Sequence, residues 1–96
     1  MSSVVVSPRA AEDLNKIWDY TAEQWNTEQA ERYTRAIWTA IEILAEAPDR
    51  GRACDEIRTG YKRHSVGSHV IFFRLTKDGI DIVRILSQRM DFEQHL

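Results

Sequence analysis

Apolar positions recur with two different periods along the chain, and the change between them separates a helical first half from a stranded second half. Ser3-Val4-Val5-Val6 is short and β-branched, which suits an extended strand, and Ser7-Pro8 stops it. Ser7 has the side chain of an N-cap, and Pro8 suits the first helical position, where an N–H would have no intrahelical partner. From there Ala11, Leu14, Ile17, Trp18, Thr21 and Trp25 follow three- and four-residue spacing and predict a helix of about 18 residues. Glu12, Asp13, Lys16, Asp19 and Glu23 fall largely off that stripe. Asn26-Thr27 interrupts the pattern, with Thr27 expected as the second N-cap and Glu28 and Glu31 suited to the positive end of a helix dipole. Ala30, Tyr33, Ile37, Ile41 and Leu44 carry a second helix to about Ala45, Trp38 extends its apolar face, and the short connection predicts an antiparallel hairpin.

Pro48 closes the helical region, and APDRGRACDEIRTG reads as an irregular connector with glycines at 51 and 60. Beyond it, Gly60 to Val66 and His69 to Thr76 are candidate strands around a Gly67-Ser68 turn, and Lys77-Asp78-Gly79 leads into a strand from Ile80 to Ser87. Lys-Asp followed by glycine fits a type I turn closed by a left-handed glycine, a three-residue loop that sets Thr76 opposite Ile80. Counting back, Arg74 faces Ile82, Phe72 faces Arg84 and Val70 faces Leu86 on one side of the sheet, while Ile71, Phe73, Leu75, Val83 and Ile85 point at the helices. A two-residue loop would instead send Arg74 and Arg84 to opposite faces. The predicted fold is α+β in the order β-α-α-β-β-β, a helical hairpin packed on one face of a small antiparallel sheet.

Ninety-six residues, 43% of them hydrophobic and 29% charged, allow one core, so residues 1–96 are read as a single domain. No stretch approaches the length of a membrane span, and MSSVVVSPRA lacks a basic start followed by an apolar signal core, which leads us to expect a cytoplasmic protein without membrane contact. The net charge is −2, with five Lys/Arg against nine Asp/Glu in residues 1–50 and eight against six in residues 51–96. That balance is far from the basic footprint of a protein that grips a phosphate backbone alone. Cys54 has no partner for an internal disulfide and reads as a spectator thiol, and three histidines without a helical HxxxH pair predict no metal site and no cofactor. Ser65, Ser68 and Ser87 lack a glycine-framed elbow. His64 and His69 lie in adjacent strands and are the candidates for a general base, though His69 has the parity of Ile71 and Phe73 and reads as a boundary or core residue.

The arginines carry more information. Arg74 in VIFFRL and Arg84 in IDIVRIL interrupt apolar strands, where a guanidinium needs solvent, a partner or an acid. Their planar five-donor forks suit carboxylates and phosphates, so a sheet face bearing them is expected to meet a target. Without an external partner, Arg74 would pair with a Glu or Asp of the C-terminal segment and Arg84 would snorkel to the sheet edge.

SPRAAEDLNKIWDYTAEQWN as a first helix, EQAERYTRAIWTAIEILAEAPDRGR as a second helix with its exit, IRTGYKRHSVGSHVIFFR as central strands and IVRILSQRMD as a closing strand with a Met-Asp tail follow one another along the chain. In that order they resemble the ParE branch of the RelE/ParE toxin superfamily over nearly the whole length. The resemblance implies a toxin that inhibits DNA gyrase by direct binding, is neutralised by a ParD-like antitoxin in a hetero-oligomer, and reaches operator DNA only through that antitoxin. RelE-like members instead cleave mRNA at the ribosome with basic residues and a terminal Tyr or His. Ser87-Gln88-Arg89-Met90-Asp91 supplies neither, so no catalytic residue is assigned. The expected target-binding residues are Arg63, Arg74, Arg84, Arg89, Met90 and Asp91, and the expected antitoxin-binding residues are Trp18, Trp25 and Trp38, lining an apolar groove on the hairpin.

Overall fold

A computed structural model describes residues 2–96. β1 (Ser3–Val6) leads into α1 (Pro8–Gln24), where the Ser7 hydroxyl accepts from the Ala10 N–H at 3.0 Å and Pro8 occupies the first turn. α2 (Thr27–Glu46) starts one residue earlier than expected. Asn26, not Thr27, is its cap, with the Asn26 side-chain oxygen accepting from the Gln29 N–H at 2.7 Å. A 3₁₀ turn (Pro48–Arg50) then delivers the chain to β2 (Arg52–Ala53), β3 (Tyr61–Val66), β4 (His69–Leu75), β5 (Gly79–Ser87) and a terminal turn of helix, α3 (Phe92–His95).

The five strands form one sheet in the order β1-β5-β4-β3-β2. It is mixed: β1 runs parallel to β5, with Val4 beside Ile80 and Val6 beside Ile82, because the two-helix crossover returns the chain in the same direction. Gly79 admits this pairing, since a Cβ there would overlap the Ser3 backbone.

The β4–β5 hairpin differs from expectation in two ways that cancel. Its loop holds only Lys77 and Asp78: the Thr76 N–H donates to the Gly79 carbonyl at 2.9 Å, and Gly79 does not adopt positive φ. A bulge at Val83 then inserts one residue into β5, so Phe72 still faces Arg84 and Val70 still faces Leu86, while Arg74 faces Asp81 instead of Ile82. Ile82 consequently turns to the helical side. There it joins Ile71, Phe73, Ile80 and Ile85 against Leu14, Ile17, Ile37, Ile41 and Leu44 in the main core.

A second, smaller apolar cluster lies on the opposite face. Cys54, Val70, Phe72 and Leu86 are buried there under Ile57, Tyr61, Phe92 and Leu96. The chain's last residues thus cover the outer sheet face, with the Phe72 and Phe92 rings edge to face at 4.9 Å. Among the described residues, no helix is long and apolar enough to cross a membrane.

Candidate functional site

The outer face of the sheet holds a concavity of about 480 Å³ between the β2–β3 edge and the C-terminal segment. Arg50, Arg52, Arg63, His64, Ser65 and Gln88 line it, with Val70 and Phe92 as apolar wall. Local structure explains the convergence. The 3₁₀ turn ends at Arg50, and Gly51 is buried so tightly against Phe73 that a Cβ would overlap the ring, which fixes the backbone carrying the arginines on either side. Antiparallel pairing then sets Arg52 directly opposite Arg63. Like charges in that relation repel, so the arrangement is electrostatically incomplete without an anion.

Partnership divides the arginines. Arg32 and Arg35 pair with Glu28 and Glu31 along α2, Arg74 pairs with Asp81 at 3.1 Å, and Arg58 donates to the Leu96 carbonyl. Among the described residues, Arg50, Arg52 and Arg63 form no ion pair, and the concavity they line includes no carboxylate side chain.

Arg84 is the opposite case. Its Nε and Nη2 donate to the two Asp13 carboxylate oxygens at 2.8 and 2.9 Å, its Nη1 donates to the His95 carbonyl at 2.9 Å, and Asp13 also accepts from the Ile85 N–H at 3.0 Å. The Arg84 side chain is only 14% exposed and that of Asp13 11%. The hydrogen bond to Asp13 holds the guanidinium firmly protonated, against the cost of burial. Arg84 therefore ties β5 to α1 and to the chain end, and the open face shared by Arg74 and Arg84 that the strand pattern suggests does not form. Past the end of β1, the Asp13 carboxylate takes the place of a neighbouring strand along the β5 edge.

The other expected target residues lie apart. Arg63 is in the concavity. Arg89, Met90 and Asp91 are exposed in the turn that follows Gln88, and the Asp91 carboxylate accepts from the Glu93 N–H as cap of α3. Arg74 is exposed near the loop end of β4. Arg50 and Arg52 were hidden in the irregular connector. Their only sequence signal is the Arg-Gly-Arg grouping just after the helix exit.

On the helical hairpin, Trp18 is half-buried, whereas Trp25 is 75% and Trp38 42% exposed. Tyr20 and Ile43 add further exposed apolar surface to the same two helices. His69 is half-buried, and its Nδ1 is hydrogen-bonded to the Tyr33 hydroxyl at 2.7 Å. Burial lowers its pKa, opposed by the Asp13 carboxylate. The buried Cys54 thiol is pushed up by desolvation and by the Glu56 carboxylate, which keeps it protonated and unreactive.

Comparison with known proteins adds a consistent set of likenesses. The sequence family described as "ParE toxin of type II toxin-antitoxin system, parDE" matches residues 4–92. Toxin ParE1 of Mycobacterium tuberculosis (strain H37Rv) is 49% identical over 96 residues, which span 99% of this chain and 98% of that protein. Toxin ParE1 of Caulobacter vibrioides is 41% identical over 91 residues, 95% of this chain and 94% of that one. A chain of the solved structure "Chromosomal ParDE TA system from P. aeruginosa" superposes with a TM-score of 0.79 at 22% identity, covering 91% of this chain and 96% of that chain, which shows a shared fold.

Proposed function

Because the chain belongs to the ParE toxin family of parDE type II toxin–antitoxin systems, we propose that it arrests growth by binding DNA gyrase in the cytoplasm, without catalysing a reaction, and that a ParD-like antitoxin neutralises it by direct binding. The family match across residues 4–92 is the observation that carries this reading. Operator DNA is then contacted through the antitoxin alone, in keeping with the chain's net charge of −2.

Side-chain placement supports a binder over a ribonuclease. Arg50, Arg52 and Arg63 supply cationic charge, but cleavage also needs a positioned acid and base. His64 borders the concavity, but it pairs in register with Ile71 of the helical-side core, so strand alternation turns its imidazole to the opposite face from the Arg63 guanidinium. Target binding is assigned to the concavity at Arg63, the adjoining turn at Arg89, Met90 and Asp91, and the exposed Arg74 farther along the sheet. Antitoxin binding is assigned to the hairpin surface at Trp18, Trp25 and Trp38, where the exposed indoles of Trp25 and Trp38 beside the half-buried Trp18 offer large contact area at small entropic cost.

Pulse labelling after induced expression tests the proposal. Thymidine incorporation should fall before methionine incorporation and recover when the antitoxin is supplied. An early loss of methionine incorporation with fragmented mRNA would contradict it and favour RelE-like cleavage.

A further inference from the structure

We propose that the concavity lined by Arg50, Arg52 and Arg63 is a recognition site for the carboxylates of an acidic, partly apolar peptide segment belonging to a partner protein. The inference rests on the reading of this chain as a partner-binding toxin, and it identifies the chemistry by which one partner is held.

Three observations lead to it. The first is the unbalanced charge: Arg52 and Arg63 are directly opposed across β2 and β3, Arg50 joins them, and no carboxylate side chain lines the space they share. An incoming anion would relieve the repulsion and receive charge-assisted, bidentate hydrogen bonds from planar donor forks. The second is pre-organisation. Buried Gly51, lodged against the fully buried Phe73, fixes the backbone between Arg50 and Arg52, and Arg63 stands on a strand paired along its whole length with β4. Little backbone ordering is then needed when a ligand arrives, and the remaining cost is that of fixing the arginine side chains.

The third observation selects the class of ligand. Val70 and Phe92 form an apolar wall beside the guanidinium groups, and Gln88 and Ser65 add neutral hydrogen-bonding groups. Acidic residues interleaved with apolar ones complement both surfaces, carboxylates to the arginines and a side chain to the wall. A nucleic-acid track needs positive charge spread along many phosphates. Here Arg50, Arg52 and Arg63, three of the cations without an ion pair, converge on a single space of about 480 Å³, which fits a few side chains, on a chain of net charge −2.

The test is a fluorescence-anisotropy titration of the full chain, free of antitoxin, with a labelled octapeptide in which aspartate and glutamate alternate with leucine and phenylalanine. An octapeptide with lysine at the acidic positions and a single-stranded RNA oligonucleotide serve as competing probes. The expected result is saturable binding of the acidic peptide, weakened at least tenfold in Arg52→Gln/Arg63→Gln and unchanged in Arg35→Gln, whose arginine lies on α2 and pairs with Glu31. Circular dichroism melting confirms that both variants are folded, and Arg63→Lys serves as a milder variant if the double substitution unfolds. Equal binding by the wild type and the arginine variants, or no binding of the acidic peptide, would overturn the proposal. Arginine-dependent binding of the RNA in place of the peptide would also overturn it and reassign the site to phosphates. The titration contains no gyrase, so its failure is distinct from a failure of the gyrase reading.

Discussion

Replacing Asp13 by alanine is the substitution whose consequence follows most directly from the structure. It removes the acceptor of two Arg84 hydrogen bonds and of the Ile85 N–H, leaving a guanidinium that is 14% exposed with only the His95 carbonyl as partner. Breaking a buried pair from one side costs about 3–5 kcal/mol when burial is complete. The residual exposure of both side chains, 14% and 11%, lets water recover part of that, which brings the expected loss to about 2–4 kcal/mol. For a domain of this size each kcal/mol lowers the melting temperature by roughly 4–8 °C, so a drop of about 8–32 °C is expected. Arg84→Met should cost less, about 1–2 kcal/mol, because Asp13 keeps the Ile85 N–H and leaves no buried cation. The diagnostic quantity is the cycle: in the Asp13→Ala background, Arg84→Met should be neutral or stabilising, giving a coupling of about 2 kcal/mol by urea denaturation. Single variants each costing less than about 0.5 kcal/mol, or strictly additive losses, would refute the reasoning that Arg84 is a structural clasp.

Other consequences are accessible to the same methods. Gly51→Ala forces a methyl into the buried Phe73 ring and should cost about 1–3 kcal/mol, a loss that Phe73→Leu in the same chain should partly relieve. Because burial depresses the His69 pKa below its ordinary 6.5, the unfolded chain binds a proton that the folded chain resists. The contribution is complete above 6.5 and is lost as pH falls through the folded value, so His69→Gln should flatten the fall in urea midpoint between about pH 7.5 and about pH 5.5. An equally steep fall in the variant would count against it. Trp25→Ala, at a side chain so open to solvent, should leave the melting temperature within a few degrees of wild type while weakening ParD-like antitoxin binding at least tenfold by calorimetric titration. Unchanged affinity in both Trp25→Ala and Trp38→Ala would remove the hairpin from the antitoxin interface.

Much of the fold is legible in the sequence because its signals are local. Ser7-Pro8 caps α1 by chemistry contained within four residues, and the α2 stripe through Ala30, Ile37, Ile41 and Leu44 is its buried face, whereas on α1 Leu14 and Ile17 are buried as expected but Ala10 takes the inward place expected of Ala11 and Trp25 is exposed. Strand register is less legible. The Lys77-Asp78-Gly79 segment suits both a two- and a three-residue loop, and the bulge at Val83 has no strong signature, so the pairing of Phe72 with Arg84 follows from two departures that compensate. β2 has only two residues, too few for any period, which is why Arg50 and Arg52 read as connector. Arg84 shows the deeper limit. An arginine in an apolar strand signals a partner, but whether that partner is another protein or Asp13, 71 residues earlier, is decided by how α1 crosses β5.

The central claim is that this ParE-family chain inhibits gyrase by binding. A plasmid supercoiling assay with purified DNA gyrase and the antitoxin-free toxin tests it most directly. The account predicts lost supercoiling or trapped double-strand cleavage, reversed by a ParD-like antitoxin, whereas full gyrase activity in the presence of demonstrably folded toxin would contradict it.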